Sequence, residues 1–279
     1  MSRAKKTIIA VSLMAVGLIM FTVALFAIDF NFAKLSIAKY ETNTHNITES
    51  FDSISINSDT ADITLLPSQD GKCKVICYEK EKGKHNVSVK DGTLIIEMVN
   101  EKSWYDYILD FGLDKITVFL PENEYKDITL RSDTGDIEIS EEFKLKSIDI
   151  YVSTGEVTNY ASVSGNVKIG VSTGEVLIEN ANTGSMEITA STGNVTLKNT
   201  ICEGKVRIET STGDVELIRC DADEIYIEAS TGDIKGTVLT DKTFIADSST
   251  GDVSVPKDTR GGVCVLKTST GDIEMRVVS

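Results

Sequence analysis

The residues best placed to do chemistry recur at one spacing. A Ser/Asp-Thr-Gly turn occurs eight times, and the residue after its glycine is Asp136, Glu156, Glu175, Asn194, Asp214, Asp233, Asp252 or Asp272. If the repeats stack as β-strands, these side chains form a column with a step of about 4.8 Å. Oxygen ligands from adjacent turns could share a calcium ion. The calcium-binding nonapeptide repeat, however, has more glycines and a much shorter period. The expected role of the column is therefore to accept turn amides, with water and mobile ions screening its charge. Asp136, Glu156, Glu175, Asp214, Asp233, Asp252 and Asp272 stand as a weak cation ladder, and no structural metal is expected.

Other chemistry is poorly served. Gly170-Val171-Ser172-Thr173-Gly174 matches a nucleophile elbow by letter, but that elbow needs a strand-to-helix turn and a later histidine. The chain has only His45 and His85, both upstream, and Ser172 has the same place in its repeat as its siblings. No cysteine set has zinc spacing, and no phosphate-binding loop or dinucleotide fingerprint occurs. A polysaccharide lyase or hydrolase would need carboxylates held above the surface by irregular loops. Only residues 66–125 break the period enough to build such loops. The expectation is a protein that is not an enzyme and holds no cofactor.

The elements that position these residues follow from the repeat. Successive glycines from Gly135 to Gly271 are 19 or 20 residues apart. A period this short and regular marks a solenoid, each repeat burying its apolar face against its neighbours. Positions seven and five before the glycine, and two and four after it, are apolar at 30 of 32 places, as in Val206/Ile208 and Val215/Leu217. A spacing of two puts both side chains on one face of a strand. Each rung is thus two half-buried strands joined through the Thr-Gly turn. A second turn is expected nine residues before the repeat glycine, at Gly165, Gly184, Gly204 and Gly262. The fold class is all-β, a β-solenoid of 19–20-residue rungs, with eight rungs spanning roughly 38 Å.

Ahead of the solenoid the chain divides further. Residues 1–6 hold Arg3, Lys5 and Lys6, and residues 7–28 form an uncharged apolar run of 22. As a helix that run is about 33 Å long, enough for a bilayer core. Its length, and a poor cleavage site at Leu25/Ala27, favour an uncleaved anchor over a signal peptide. The basic residues place 1–6 in the cytoplasm and everything from Asp29 outside it. Residues 29–46 are a juxtamembrane linker. Residues 47–126 are an irregular β cap holding a first rung, with Ala61 in the glycine position, and Asp91-Gly92 marks a hairpin. Residues 127–279 carry the regular repeats. Trp104, Tyr105 and Tyr107 sit in the irregular part, as local packing or as a partner-contacting knob.

The net charge is −15, and −18 from Asp29 onward, which argues against nucleic acid or anionic lipid as a ligand. The five cysteines are expected as buried free thiols. Cys202 and Cys220, nearly one rung apart, leave a bridge open. The last rung is expected to present an open strand edge at residues 272–279, a template for self-association.

The basic N-terminus and single span, Asp29–Ser36, Lys39-Tyr40-Glu41-Thr42-Asn43, Asp59-Thr60-Ala61-Asp62-Ile63, the Trp104–Tyr107 insertion, Phe119-Leu120-Pro121 and the Thr-Gly-Asp turns resemble one family. It is the bacterial "putative adhesin" or toast-rack family of envelope β-solenoids. The resemblance implies a membrane-tethered extracytoplasmic solenoid, linked in some members to Lia-type or phage-shock-type envelope-stress systems, with no catalytic residues to carry over. The expected function is a non-catalytic binding, adhesion or scaffolding module of the cell envelope, with a protein or cell-wall partner. The alternative is an accessory of an envelope-stress sensing system that binds another membrane protein. A carbohydrate-active enzyme comes third.

Overall fold

The protein is described here by a computed structural model over residues 39–81, 83–99, 114–257 and 260–278, with seven further positions between 14 and 23. Its contacts divide the chain into two units, Met1–Tyr40 with Glu101–Gly112, and Glu41–Asn100 with Leu113–Ser279. In the first unit the described positions of the expected span, from Met14 to Val23, are helical. Among the described residues no helix is long and apolar enough to cross a membrane. The rest of the 7–28 span, the linker up to residue 38, and Trp104, Tyr105 and Tyr107 lie outside the described residues.

The second unit is all-β. Each rung gives one strand to each of two parallel sheets, which meet at the Thr-Gly turn. One sheet runs through Glu124–Thr134, Lys144–Thr154, Ser162–Thr173, Asn182–Thr192 and Ile201–Thr212. The other runs through Ile137–Ile139, Val157–Asn159, Val176–Glu179 and Val195–Lys198. Register follows the repeat, with Val206 beside Ile225, Ile208 beside Ile227 and Val195 beside Val215. The apolar positions of the repeat face inward and are buried in every rung but that of Gly251. So, outside the Gly251 rung, is a third inward position three residues before the glycine, as at Val152, Val171, Ala190 and Ala229. Strand alternation requires that third position.

The turn glycines have φ between 133° and 148°, a region that L-residues rarely adopt. Stacking adds a second constraint. A Cβ on Gly193 would lie 1.8 Å from the carbonyl oxygen of Gly174 in the next rung.

The second corner differs from expectation. Gly165, Gly184 and Gly204 lie inside strands, where the pairing register shifts, so they mark bulges rather than a turn. The corner falls six residues after the repeat glycine, at Asn180, Asn199 and Arg219, with φ of 57°, 47° and 54°. Asn tolerates this left-handed region because its short side chain bonds locally. Here Asn199 Nδ2 donates to Asn180 Oδ1 at 3.0 Å, linking successive corners.

The order of the last three rungs also differs. Ile225 pairs with Cys264 and Ile234 with Ile273, while Phe244 pairs with Cys264 and Val253 with Ile273. The Gly271 rung is therefore inserted between the Gly232 and Gly251 rungs. Ile273 and Glu274 are paired on both sides, while Met275–Val277 pair only with Gly236–Val238, so the expected open edge at 272–279 is narrowed to its last residues. The rest of the open edge belongs to Lys242–Thr250 and Val253–Ser254. The side chains account for this order. Cys264, Leu266, Ile273 and Met275 are fully buried, whereas Phe244 and Val255 are partly buried and Val253 is exposed. In one of the two sheets the outermost strand is only two residues long and Pro256 lies just beyond it, features that discourage edge pairing there, whereas the other sheet ends on the nine-residue strand Lys242–Thr250. Lys242 reaches past Gly262 to Asp221, with Nζ 2.5 Å from Oδ1, and ties the outer rung across the inserted one.

The other end is closed by the irregular segment. Thr93–Met98 and Asp114–Leu120 run parallel to the two halves of the first rung, Ser53–Pro67. Antiparallel strands His85–Lys90 and Cys73–Lys80 cover them. Asp91 and Gly92, with φ of 50° and 75°, make the expected two-residue hairpin turn.

Candidate functional site

The acidic column has a hydrogen-bonding role. Asp62 Oδ1 accepts the backbone amide of Asp136, and Asp136 Oδ1 that of Glu156. Asn194 accepts from Asp214, and Asp214 from Asp233. The ladder then follows the swapped order, Asp233 accepting from Asp272 and Asp272 from Asp252, at 2.7 and 2.9 Å. Among the described residues no such bond leaves Glu156 or Glu175. The extra methylene carries the carboxylate past the amide, and Glu156 turns to the Thr158 hydroxyl instead. A hydrogen bond from Lys235, then the Asp272 amide, hold the Asp233 carboxyl below its ordinary pKa.

The outward faces carry shallow depressions. In one, of about 480 Å³, Tyr151 lies across Gly170 and its hydroxyl is 3.1 Å from Ser172 Oγ. Beside it Arg131 forms a two-point bridge to Asp149, at 3.1 and 2.8 Å. Tyr151 is 43% exposed. Ser172 thus serves an outward surface and meets no histidine.

A buried polar cluster at the capped end was not anticipated. Strand Cys73–Lys80 alternates Cys73, Val75, Cys77 and Glu79 inward, so its apolar row ends on an acid. The hairpin brings His85 against it. Glu79 Oε2 accepts from both the backbone amide and Nδ1 of His85, each at 2.7 Å. Glu79 Oε1 accepts from Asn43 Nδ2 at 2.7 Å. On the far side of the ring, His85 Nε2 is 3.0 Å from Ser58 Oγ on the first rung. Burial by itself would raise the Glu79 pKa, but the bonds from His85 and Asn43 outweigh it, and the net shift is downward. Burial, then the nearby Glu79 and Asp114 charges, push the Cys77 thiol up to about 12. A second buried pair, Lys80 and Asp114 at 3.7 Å, lies in the same cap.

By distance, Ser58, His85 and Glu79 reproduce a nucleophile–base–acid relay. Ser58, however, faces inward at 3% exposure and the His85 side chain is fully buried. A substrate would have to enter the packed stack to meet the hydroxyl. The relay therefore fixes side chains in place rather than defining an active site. The sequence hid this cluster because residues 66–125 break the period, so His85 could not be placed against a rung. The alternating row that ends on Glu79 and Lys80 was the one signal available.

The cysteines are all free and buried. Cys202 Sγ donates to the carbonyl of Gly184 and Cys220 Sγ to that of Leu197, at 3.1 and 3.2 Å. The bridge left open by the sequence is not made.

Regular parallel rungs, a stapled glycine column and a closed end define a β-solenoid whose regular rungs present flat outer faces. The chain belongs to the Toastrack DUF4097 family, whose family model matches residues 51–279. Among solved structures it is similar to a "putative adhesin" from Bacteroides fragilis, at 18% identity and a TM-score of 0.55, covering 85% of this chain and 97% of that one. A "putative adhesin" from Parabacteroides merdae is 14% identical with a TM-score of 0.46, covering 86% and 98%. A "putative lipid binding protein" from Parabacteroides distasonis is 14% identical with a TM-score of 0.44, covering 88% and 98%. These likenesses are of fold, and the first carries the comparison. Among curated proteins none matches the chain significantly.

Proposed function

We propose that this chain is a non-catalytic binding or scaffolding module of the cell envelope, adhesive in character. In this reading residues 7–28 tether it and residues 29–279 lie outside the cytoplasm. The observation that carries the reading is the unbroken outward face. A row from Arg131 and Tyr151 through Thr189 and Glu209 to Lys267 and Asp247 keeps register across eight rungs without a loop excursion. Such a face offers many repeated contacts and no enclosed site, which suits an extended partner better than a reacting small molecule. The adhesin name of the similar fold agrees with it.

The test is co-sedimentation of the purified full chain with isolated cell-wall material, with the supernatant assayed for released sugar fragments. Binding without release supports the reading. Time-dependent release that scales with the protein would replace it with an enzyme.

A further inference from the structure

Cys77, Glu79 and His85 place one thiol sulfur, one carboxylate oxygen and one imidazole nitrogen within 4.8 Å of one another. All three residues are buried, at 0%, 1% and 4% exposure. We propose that these residues form a binding site for a divalent transition-metal ion, zinc by preference, at the capped end of the solenoid. The inference stands independently of the binding role proposed above.

The donor set comes first. Sulfur, imidazole nitrogen and carboxylate oxygen together suit a borderline cation such as zinc, and suit calcium or magnesium badly. Zinc bonds of about 2.0–2.3 Å in a tetrahedron need donor atoms roughly 3.3–3.8 Å apart. The widest pairs must close by no more than about 1.5 Å on that scale. The Glu79–His85 pair, now hydrogen-bonded at 2.7 Å, must part by somewhat less than that.

Proton balance follows from the hydrogen bonds. For an imidazole with its single proton on Nδ1, the metal-free ring donates to Glu79 Oε2. When the ion takes Nδ1, that proton is carried instead on Nε2, which donates to Ser58 Oγ, already 3.0 Å away. Cys77 loses its thiol proton to solvent, so one proton leaves per ion bound. The charge of the three ligands then changes from −1 to −2, and the ion brings the total to zero. Ser58 and Asn43 supply outer bonds to the imidazole and the carboxylate, the pattern that usually orients metal ligands. Three protein donors leave a fourth position for water.

Energetics give the second argument. The regular rungs fill their cores mainly with aliphatic side chains and single uncharged polar groups such as Asn159 and Thr210, yet this place gathers an acid, an imidazole, a thiol and the Lys80–Asp114 pair. Apolar residues of similar volume would avoid that desolvation cost. An ion joining all three ligands offsets it, and clamps the hairpin and the strand Cys73–Lys80 together over the first rung.

The test uses the full chain, freed of metal and titrated with cobalt(II). One cobalt per chain is expected, with a thiolate-to-cobalt charge-transfer band in the near ultraviolet that zinc abolishes. Cys77→Ser should remove the band, and Ser58→Ala should weaken binding about tenfold while keeping it. A band that survives in Cys77→Ser overturns the proposal. If a variant does not fold, zinc-edge X-ray absorption on the unaltered, zinc-loaded chain decides. It should show one sulfur at about 2.3 Å and nitrogen or oxygen at about 2.0–2.1 Å. No sulfur, or two or more, overturns the proposal, as does the absence of any cobalt band in the unaltered chain.

Discussion

Ile234 pairs in the sheet with Ile273, 39 residues on, and not with Val253, 19 residues on. The rung that follows in sequence is skipped, and the one after it takes the place. Ile273 is consequently sealed between two neighbours, while Val253 is 44% exposed at the end of the stack. Ile273→Asp should cost several kcal/mol, because it leaves an unpaired charge in the core. Val253→Asp should cost less than about 1 kcal/mol. Urea denaturation of the two variants checks this, and a sequential order of rungs would reverse the ranking.

The glycine column makes an equally specific demand. Gly193→Ala meets the Gly174 carbonyl at 1.8 Å with φ at 133°, so two neighbouring rungs must separate. A loss of roughly 3 kcal/mol or more is expected. Gly71→Ala is the control. Its φ of 69° is strained, but nothing lies within 4 Å of the added carbon, so the cost should stay near 1 kcal/mol. Thermal melts of both variants give the comparison.

Asp214 acts in the column as an amide acceptor, and Asn194 fills the same role one rung away. Asp214→Asn should be nearly neutral, because the amide oxygen still accepts from Asp233. Asp214→Ala leaves that amide to water and should cost about 1 kcal/mol. Equal losses would show that charge, rather than an acceptor oxygen, matters at this position.

The buried cluster should give the metal-free protein two pH limbs. The folded pKa of Glu79 is below its ordinary 4.5, so its contribution is present above pH 4.5 and is lost as pH falls through the depressed value. Cys77 is raised from 9.0 to about 12, so its contribution is present below pH 9 and is lost as pH rises toward 12. Cys264, also pushed up to about 12 by burial, acts in the same direction. Urea midpoints against pH should show a shallower acid limb in Glu79→Gln and a shallower alkaline limb in Cys77→Ala.

Much of this architecture was legible in the residues. Pairs such as Val206/Ile208 and Val215/Leu217 announce two inward-facing strands per rung, and Asp91-Gly92 announces its hairpin. The position of the second corner was not legible, because Gly165 and Gly184 carry the letter of a turn but serve strand bulges. Asn180 and Asn199, which make the corner, look like ordinary polar residues. Rung order was hidden for a deeper reason. Periodicity says which faces are buried, yet every rung presents the same faces, so any order of rungs satisfies the same spacing. The tie from Lys242 to Asp221, which spans the inserted rung, is a single pair across an otherwise repeating surface. The cluster at Ser58, Glu79 and His85 joins strands that share no period, and only the folded chain brings them together.

The unbroken outward rows and the enclosure of Ile273 both depend on one order of rungs. Engineered cysteines at outward positions measure that order directly. Lys235 is in register with Glu274, and Glu274 with Ser254, so Lys235 and Ser254 stand two rungs apart. Neighbouring strands lie about 4.8 Å apart, within disulfide reach, whereas a two-rung gap of roughly 9.6 Å is not. Lys235→Cys with Glu274→Cys should therefore crosslink under mild oxidation, as read by mass spectrometry. Lys235→Cys with Ser254→Cys should stay reduced. Crosslinking of the second pair and not the first would contradict the inserted rung.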